Sequence, residues 1–234
     1  MKIIVELGLN HMGSSFMATE IVSYLCTLPI YGITLQIREK EYYKKKPYLE
    51  LPDATYNEIA DICKKNSIMF GLSVCESDTV LKYNKYCSFW KTLSWKLEDM
   101  DLLKVCIDTN KPVHLSTGKH DTENIIKIAK NYIETFKKNT DMLNLIHTTL
   151  NPEPEITDIM RITRLKRETK LNIGFGLHSH HKEALYLALS EKPDYIFFYI
   201  KNDNVIKYPD NKNAILIDKA EKIIVNMKIL IKML

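Results

Sequence analysis

The sequence predicts an α/β chain that closes into a single-domain (β/α)8 barrel, on three observations. Short apolar runs alternate with longer segments of helical period, and eight such runs fit within 234 residues. Apolar strands alternating with helices make a parallel sheet covered by helices, and eight units suit a barrel of roughly 250 residues. Polar and charged residues gather where the runs end, on the side where such a barrel places its chemistry. A doubly wound open sheet is the alternative arrangement of the same elements. Neither a GxGxxG nor a P-loop pattern is present to suggest a nucleotide cradle.

In chain order, the first run is Lys2–Gly8, followed by a helix over Phe16–Leu28 that Ser14 or Ser15 can cap. The run Ile33–Ile37 comes next, then a helix over Ala54–Lys65. Between them Lys44, Lys45 and Lys46 sit in a loop with Tyr and Pro and read as solvated surface. Ile68–Val74 leads to a short helical stretch over Asp78–Lys85, and Phe89–Leu93 to a helix over Asp99–Asp108. Pro112–Ser116 carries its proline at the first position, where a strand tolerates the missing N–H. The helix Thr122–Phe136 follows, with Thr122 as N-cap and Glu123 adding favourable charge to the first turn. Three more pairs complete the ring: Met142–Thr148 with Ile156–Glu168, Leu171–Leu177 with His181–Ser190, and Asp194–Ile200 with Asn213–Leu234.

Composition excludes several classes. Hydrophobic residues at 45% and charged residues at 26% are those of a globular chain rather than a disordered one. A net charge of +4, from 33 basic and 29 acidic residues, is too balanced to argue for nucleic-acid binding. The five cysteines, Cys26, Cys63, Cys75, Cys87 and Cys106, are odd in number and spread out, which reads as reduced thiols in a cytoplasmic protein. No apolar stretch reaches the about 18 residues of a membrane span, and the opening run meets Glu6 too early for a signal peptide.

The strand ends supply the chemistry. They offer Glu6, Asn10 and His11; Thr34, Gln36 and Arg38; Ser73 and Cys75; Lys91 and Ser94; Ser116 and Thr117; His147 and Thr148; His178, Ser179, His180 and His181; and Tyr199 and Lys201. Cations and hydroxyls suit a phosphate or carboxylate ligand, and imidazoles suit a divalent metal or proton transfer. His178 and His180 lie two apart, so an extended backbone would put both on one face as metal ligands. The plainer alternatives are a Glu6–Lys91 ion pair inside the barrel, core roles for His147 and His114, and an inert Cys75.

With those residues placed, the chain resembles the sialic acid synthase family. Glu6-Leu7-Gly8-Leu9-Asn10-His11-Met12-Gly13 is similar to the family's E-[IL]-G-x-N-H-x-G. Gly32–Gln36 resembles the segment ending K-F-Q, and Trp90-Lys91-Thr92-Leu93-Ser94 resembles Y-K-I-G-S. Pro112–Gly118 resembles P-V-[IL]-L-S-T-G, Leu145–Thr149 resembles L-L-H-C-T, and Gly174–His178 resembles G-Y-S-D-H. The resemblance implies a (β/α)8 barrel that condenses phosphoenolpyruvate with a sugar aldehyde to a 2-keto-3-deoxy acid in surface glycan biosynthesis. It places Lys91, Ser94 and Ser116, with Thr117 beside them, on the phosphate or carboxylate, and His178 on a divalent Mn or Mg ion. Glu6 would sit at the aldehyde or the attacking carbon, with Asn10, His11, Gln36, His147 and Tyr199 around the substrates. A homodimer is compatible with this reading.

The departures are specific. The K-F-Q lysine is Thr34, the S-T-P-F segment is Ser73-Val74-Cys75-Glu76, and Trp95-Lys96 replaces a glycine and an acid. The asparagine after H-C-T is Leu150, the S-D before the metal histidine is Gly176-Leu177, and the second metal histidine falls at Tyr199. The sequence in hand, 1–234, contains the barrel without the family's C-terminal antifreeze-like domain. Two other readings stay open: a diverged metal-dependent barrel aldolase or lyase using His178 and His180, and a non-catalytic member whose pocket is plugged by Trp95, Leu150 or Tyr199.

Overall fold

A computed structural model describes residues 1–150 and 157–234. Strands β1 (Lys2–Gly8), β2 (Gly32–Gln36), β3 (Met69–Val74), β4 (Phe89–Thr92), β5 (Val113–Ser116), β6 (Leu143–His147), β7 (Asn172–Leu177) and β8 (Tyr195–Lys201) follow one another in a parallel sheet. β8 pairs back onto β1 from Lys2↔Tyr195 to Glu6↔Tyr199 and closes the ring, so the open-sheet alternative is excluded. Each predicted strand forms within one residue of its expected bounds.

Around the ring lie α1 (Ser15–Leu25), α2 (Lys40–Lys45), α3 (Asp53–Lys65), α4 (Ser77–Tyr83), α5 (Met100–Asp108), α6 (Thr122–Thr135), α7 (Arg161–Thr169), α8 (Glu183–Leu189) and α9 (Ile217–Met233). Ser14 caps α1 by accepting from the Met17 N–H, and the helix stops three residues before Leu28. Asp121, not Thr122, caps α6, because its carboxylate accepts from Asn124 N–H. The stretch containing Lys44 and Lys45 is the short helix α2 rather than loop. α7 begins later than periodicity suggests: Asp158 takes a left-handed φ of 40° that a helix cannot hold, and Ile156 lies outside the described residues. α9 begins after Asn213 because Ile215–Leu216 first forms a short strand, β9, against Ile200 and Lys201.

Side-chain alternation splits the interior in two. Ile3, Val5, Ile33, Leu35, Leu72, Val113, Leu145, Phe175 and Phe198 face the helices in the main core. Ile4, Phe89, Ile146, Tyr195 and Phe197 fill the lower barrel as a separate cluster. Gly71 makes that filling possible, since a Cβ there would lie 2.3 Å from Phe89 Cε2. His114 lies in the same layer, edge-on to Phe89, Tyr195 and Phe197, and burial pushes its pKa down to about 3. It is a neutral core histidine.

Candidate functional site

Above the aromatic floor the next inward positions are polar. Lys91, from β4, donates across the barrel to Glu6 of β1 at 2.6 Å, with both side chains almost fully buried. The Thr34 hydroxyl on β2 also donates to Glu6, at 3.4 Å. The Tyr199 ring on β8 covers this pair: its centroid is 5.6 Å from Lys91 Nζ, and His178 packs edge-on against it at 5.6 Å. Gly8 has φ +57°, and a Cβ there would come within 2.7 Å of Tyr199 Cε1, so the glycine lets the ring seat. Four strand ends, β1, β4, β7 and β8, therefore converge on one centre through Glu6, Lys91, His178 and Tyr199.

Two further groups border this centre. The Ser94 and Ser116 hydroxyls share a hydrogen bond of 2.9 Å, and Gly118 N–H donates to Ser94 Oγ at 3.3 Å. Asn10 is fully engaged: its amide donates to Ile200 O at 2.7 Å and its Oδ1 accepts from Asp210 N–H at 3.1 Å. It thereby holds the chain after β8 over β1, bringing in Asp210, which the sequence reading did not single out. Asp210 lies in a polar loop with no motif around it. Burial, then the Glu6 carboxylate, raises its pKa to about 7, while Lys91 and Arg38 oppose the rise. A carboxyl that keeps its proton near neutrality can donate a hydrogen bond or release that proton.

Other predicted residues stand apart from the centre. His147 alternates to the outside: its Nε2 donates to Thr157 O at 2.8 Å, and its ring packs on Phe175. The Thr117 hydroxyl donates to Ile146 O, a tie between neighbouring strands. His11 Nδ1 accepts from Gly13 N–H, which leaves Nε2 to carry the proton, buried and unpartnered. Burial holds both rings neutral, with pKa values of about 4. Gln36 shares the inward face of β2 with Thr34. Trp95 and Leu150 are 42% and 43% exposed, whereas Tyr199 is buried and fills the barrel centre.

The expected metal pair does not assemble. β7 ends at Leu177, so the alternation that would align His178 with His180 stops before either residue. His178 turns toward Tyr199, with its Nδ1 3.4 Å from Asn213 Nδ2, whereas His180 is exposed and donates from Nδ1 to Lys212 O. Among the described residues no group of three or more His, Cys, Asp or Glu side chains is placed to hold a metal ion. Glu6 is taken up by Lys91, and Tyr199 is a poor substitute for an imidazole ligand. The residues present do not fit the divalent cation that the resemblance implied.

A model of the NeuB family matches residues 14–234. An uncharacterized protein of Methanocaldococcus jannaschii is 25% identical over 241 residues, covering 99% of this chain and 71% of that protein. The fold is shared with the N-acetylneuraminic acid (sialic acid) synthetase of Leptospira borgpetersenii, at a TM-score of 0.88 and 21% identity over 99% of this chain and 84% of that one. The spore coat polysaccharide biosynthesis protein spsE of Bacillus subtilis follows at 0.84 and 20% identity, covering 98% of this chain and 67% of that one. A truncated 3-deoxy-D-arabino-heptulosonate 7-phosphate synthase of Thermotoga maritima superimposes at 0.79 with 16% identity, over 100% and 87% of the two chains. No helix among the described residues is long and apolar enough to cross a membrane.

Proposed function

The chain belongs to the NeuB family, and from that premise we propose that it is a sugar-acid synthase that joins phosphoenolpyruvate to a sugar aldehyde. One observation carries the reading: a buried polar layer centred on Glu6 and Lys91 at the C-terminal strand ends, where a barrel otherwise needs only apolar filling. In the reaction, C3 of phosphoenolpyruvate forms a bond to the aldehyde carbon, and the aldehyde oxygen takes up a proton. Water adds to C2, and the resulting tetrahedral carbon releases inorganic phosphate to leave the keto acid.

On this reading Lys91 and the Ser94–Ser116 pair bind the phosphate or carboxylate, as charge-assisted donors suit such groups. Asp210 is the proton source for the aldehyde oxygen. Glu6 orients Lys91 and steers the water. The barrel positions two substrates at one point, which converts an encounter into a local step. Phosphate release on mixing the protein with phosphoenolpyruvate and candidate amino-sugar aldehydes tests the reading, alongside calorimetric titration of phosphoenolpyruvate alone.

A second reading rests on Tyr199, whose buried ring occupies the centre against Gly8, Lys91 and His178. There the barrel is a family member that no longer turns over. Phosphoenolpyruvate that neither binds nor reacts with any aldehyde, but binds once Tyr199 is replaced by alanine, selects this second reading.

A further inference from the structure

Outside the barrel centre, a cavity of about 230 Å³ opens between the loops that follow β7 and β8. Its lining includes Ser179, Lys182, Lys201, Lys212, Asn213 and Lys219, and among the described residues no carboxylate. Among the described residues none of the four lysines has an ion-pair partner: Lys201, although buried, donates only to Asn211, through its backbone and side-chain oxygens at 3.2 and 2.9 Å. Four like charges around one cavity repel each other, and removing one from water adds a desolvation cost. Lysines without acids to neutralise them are what an anion site looks like before its anion arrives.

The backbone adds to this. α9 runs for 17 residues from Ile217, and no side chain caps its N-terminus. Leu216, at its N-cap, and Lys219, in its first turn, line the cavity, so the positive end of the helix dipole lies beside it. Asp218 lies in that first turn but not on the cavity wall. In barrels of this class the loops after the seventh and eighth strands, with a helix N-terminus, are a frequent phosphate position. We propose that this cavity binds a phosphate group.

The site is coupled to the barrel centre by residues 210–213. Asn211 accepts from Lys201, Lys212 lines the basic cavity, Asn213 reaches both its wall and His178, and Asp210 stands against Gly8 beside Tyr199. A phosphate held by Lys212 and Lys201 fixes this segment, and so fixes Asp210 where Asn10 already grips its amide. The proposal does not depend on the synthase reading, because phosphate binding here needs no turnover.

The test is calorimetric titration of inorganic phosphate, and separately of a hexose 6-phosphate, at constant ionic strength. The starting protein is the Ser94→Ala, Ser116→Ala double variant, so that the barrel centre contributes least. Saturable binding is expected, weakened at least about tenfold when Lys182, Lys212 and Lys219, all exposed, become alanine. Replacing Lys127, Lys130 and Lys137, exposed lysines on or just after α6, removes the same charge and should change binding less than twofold. Tighter binding of the hexose phosphate identifies a phosphorylated sugar as the occupant, and equal binding identifies free phosphate. Absence of saturable binding, or equal loss in the two lysine sets, overturns the proposal.

Discussion

Replacing Lys91 with methionine removes the cation that, among the described residues, contacts the buried Glu6 carboxylate. Glu6 and Lys91 are 2% and 3% exposed, so solvent cannot take over the lost contact. Breaking a buried pair from one side costs about 3–5 kcal/mol, because the remaining charge is left uncompensated. For a chain of this size each kcal/mol moves Tm by about 2–4 °C, so the variant should melt on the order of 10 °C lower. The penalty has a pH signature. Lys91 opposes the rise in the pKa of Asp210, so its loss pushes that carboxyl further above about 7 and lets Asp210 keep its proton. Destabilisation should therefore be larger at pH 8 than at pH 6. The Glu6→Gln, Lys91→Met double variant should recover at least half of the loss, since it leaves no orphaned charge. Differential scanning calorimetry of the four proteins at both pH values measures this. A Lys91→Met Tm within about 2 °C of the parent at pH 8, or single losses that simply add in the double variant, refutes a tight, dry pair.

Gly71→Ala should destabilise by about 1–3 kcal/mol in urea unfolding, because its Cβ would lie 2.3 Å from Phe89; Phe89→Leu in the same protein should return part of that loss. Asp121→Ala should cost about 1 kcal/mol as the loss of a helix cap, whereas Thr122→Ala should cost less than half as much. Stability should fall between pH 6.5 and pH 5: His11 and His147 titrate near 4 and His114 and His178 near 3 in the fold, so the unfolded chain takes up their protons first as pH drops. Asp210, raised to about 7, acts in the opposite sense, its contribution being lost as pH rises through 7, but it is one group against four. A urea midpoint that holds steady or climbs from pH 6.5 to pH 5 would contradict this.

The ring itself was legible because strand burial is written in contiguous apolar residues: every run from Lys2–Gly8 to Asp194–Ile200 lies within one residue of an observed strand. Helix ends were less legible. Local backbone geometry at Asp158 and tertiary pairing of Ile215 with Ile200 override the 3.6-residue period there. In the candidate site, alternation correctly turned Glu6, Lys91 and Ser116 inward, and motif order brought Tyr199 to the same layer. His180 and His147 were misplaced for opposite reasons. His180 lies past the end of its strand, where alternation no longer applies, and His147 lies inside its strand but on the outward phase. Asp210 could not be found at all, since it reaches the centre through Asn10, 200 residues earlier in the chain.

The departures from the family motifs concentrate in the layer that would hold the substrate, and their charges can be followed together. Thr34 stands where the family has a lysine, so the layer has Lys91 as its cation in contact with Glu6, and the pair is internally neutral. Asp210 is held near neutrality by the same surroundings. A centre without excess positive charge attracts a highly charged anion less than one with two lysines would. Phosphoenolpyruvate must then either separate Glu6 from Lys91 or draw its positive field from elsewhere, and the lysines beyond β7 and β8 are a reserve joined to the centre by 210–213. Titration of Glu6→Gln discriminates between these cases. If the ion pair is what holds phosphoenolpyruvate off, freeing Lys91 should tighten its binding by more than about tenfold, one broken charge-assisted contact. Unchanged binding would place the obstacle in the Tyr199 ring instead.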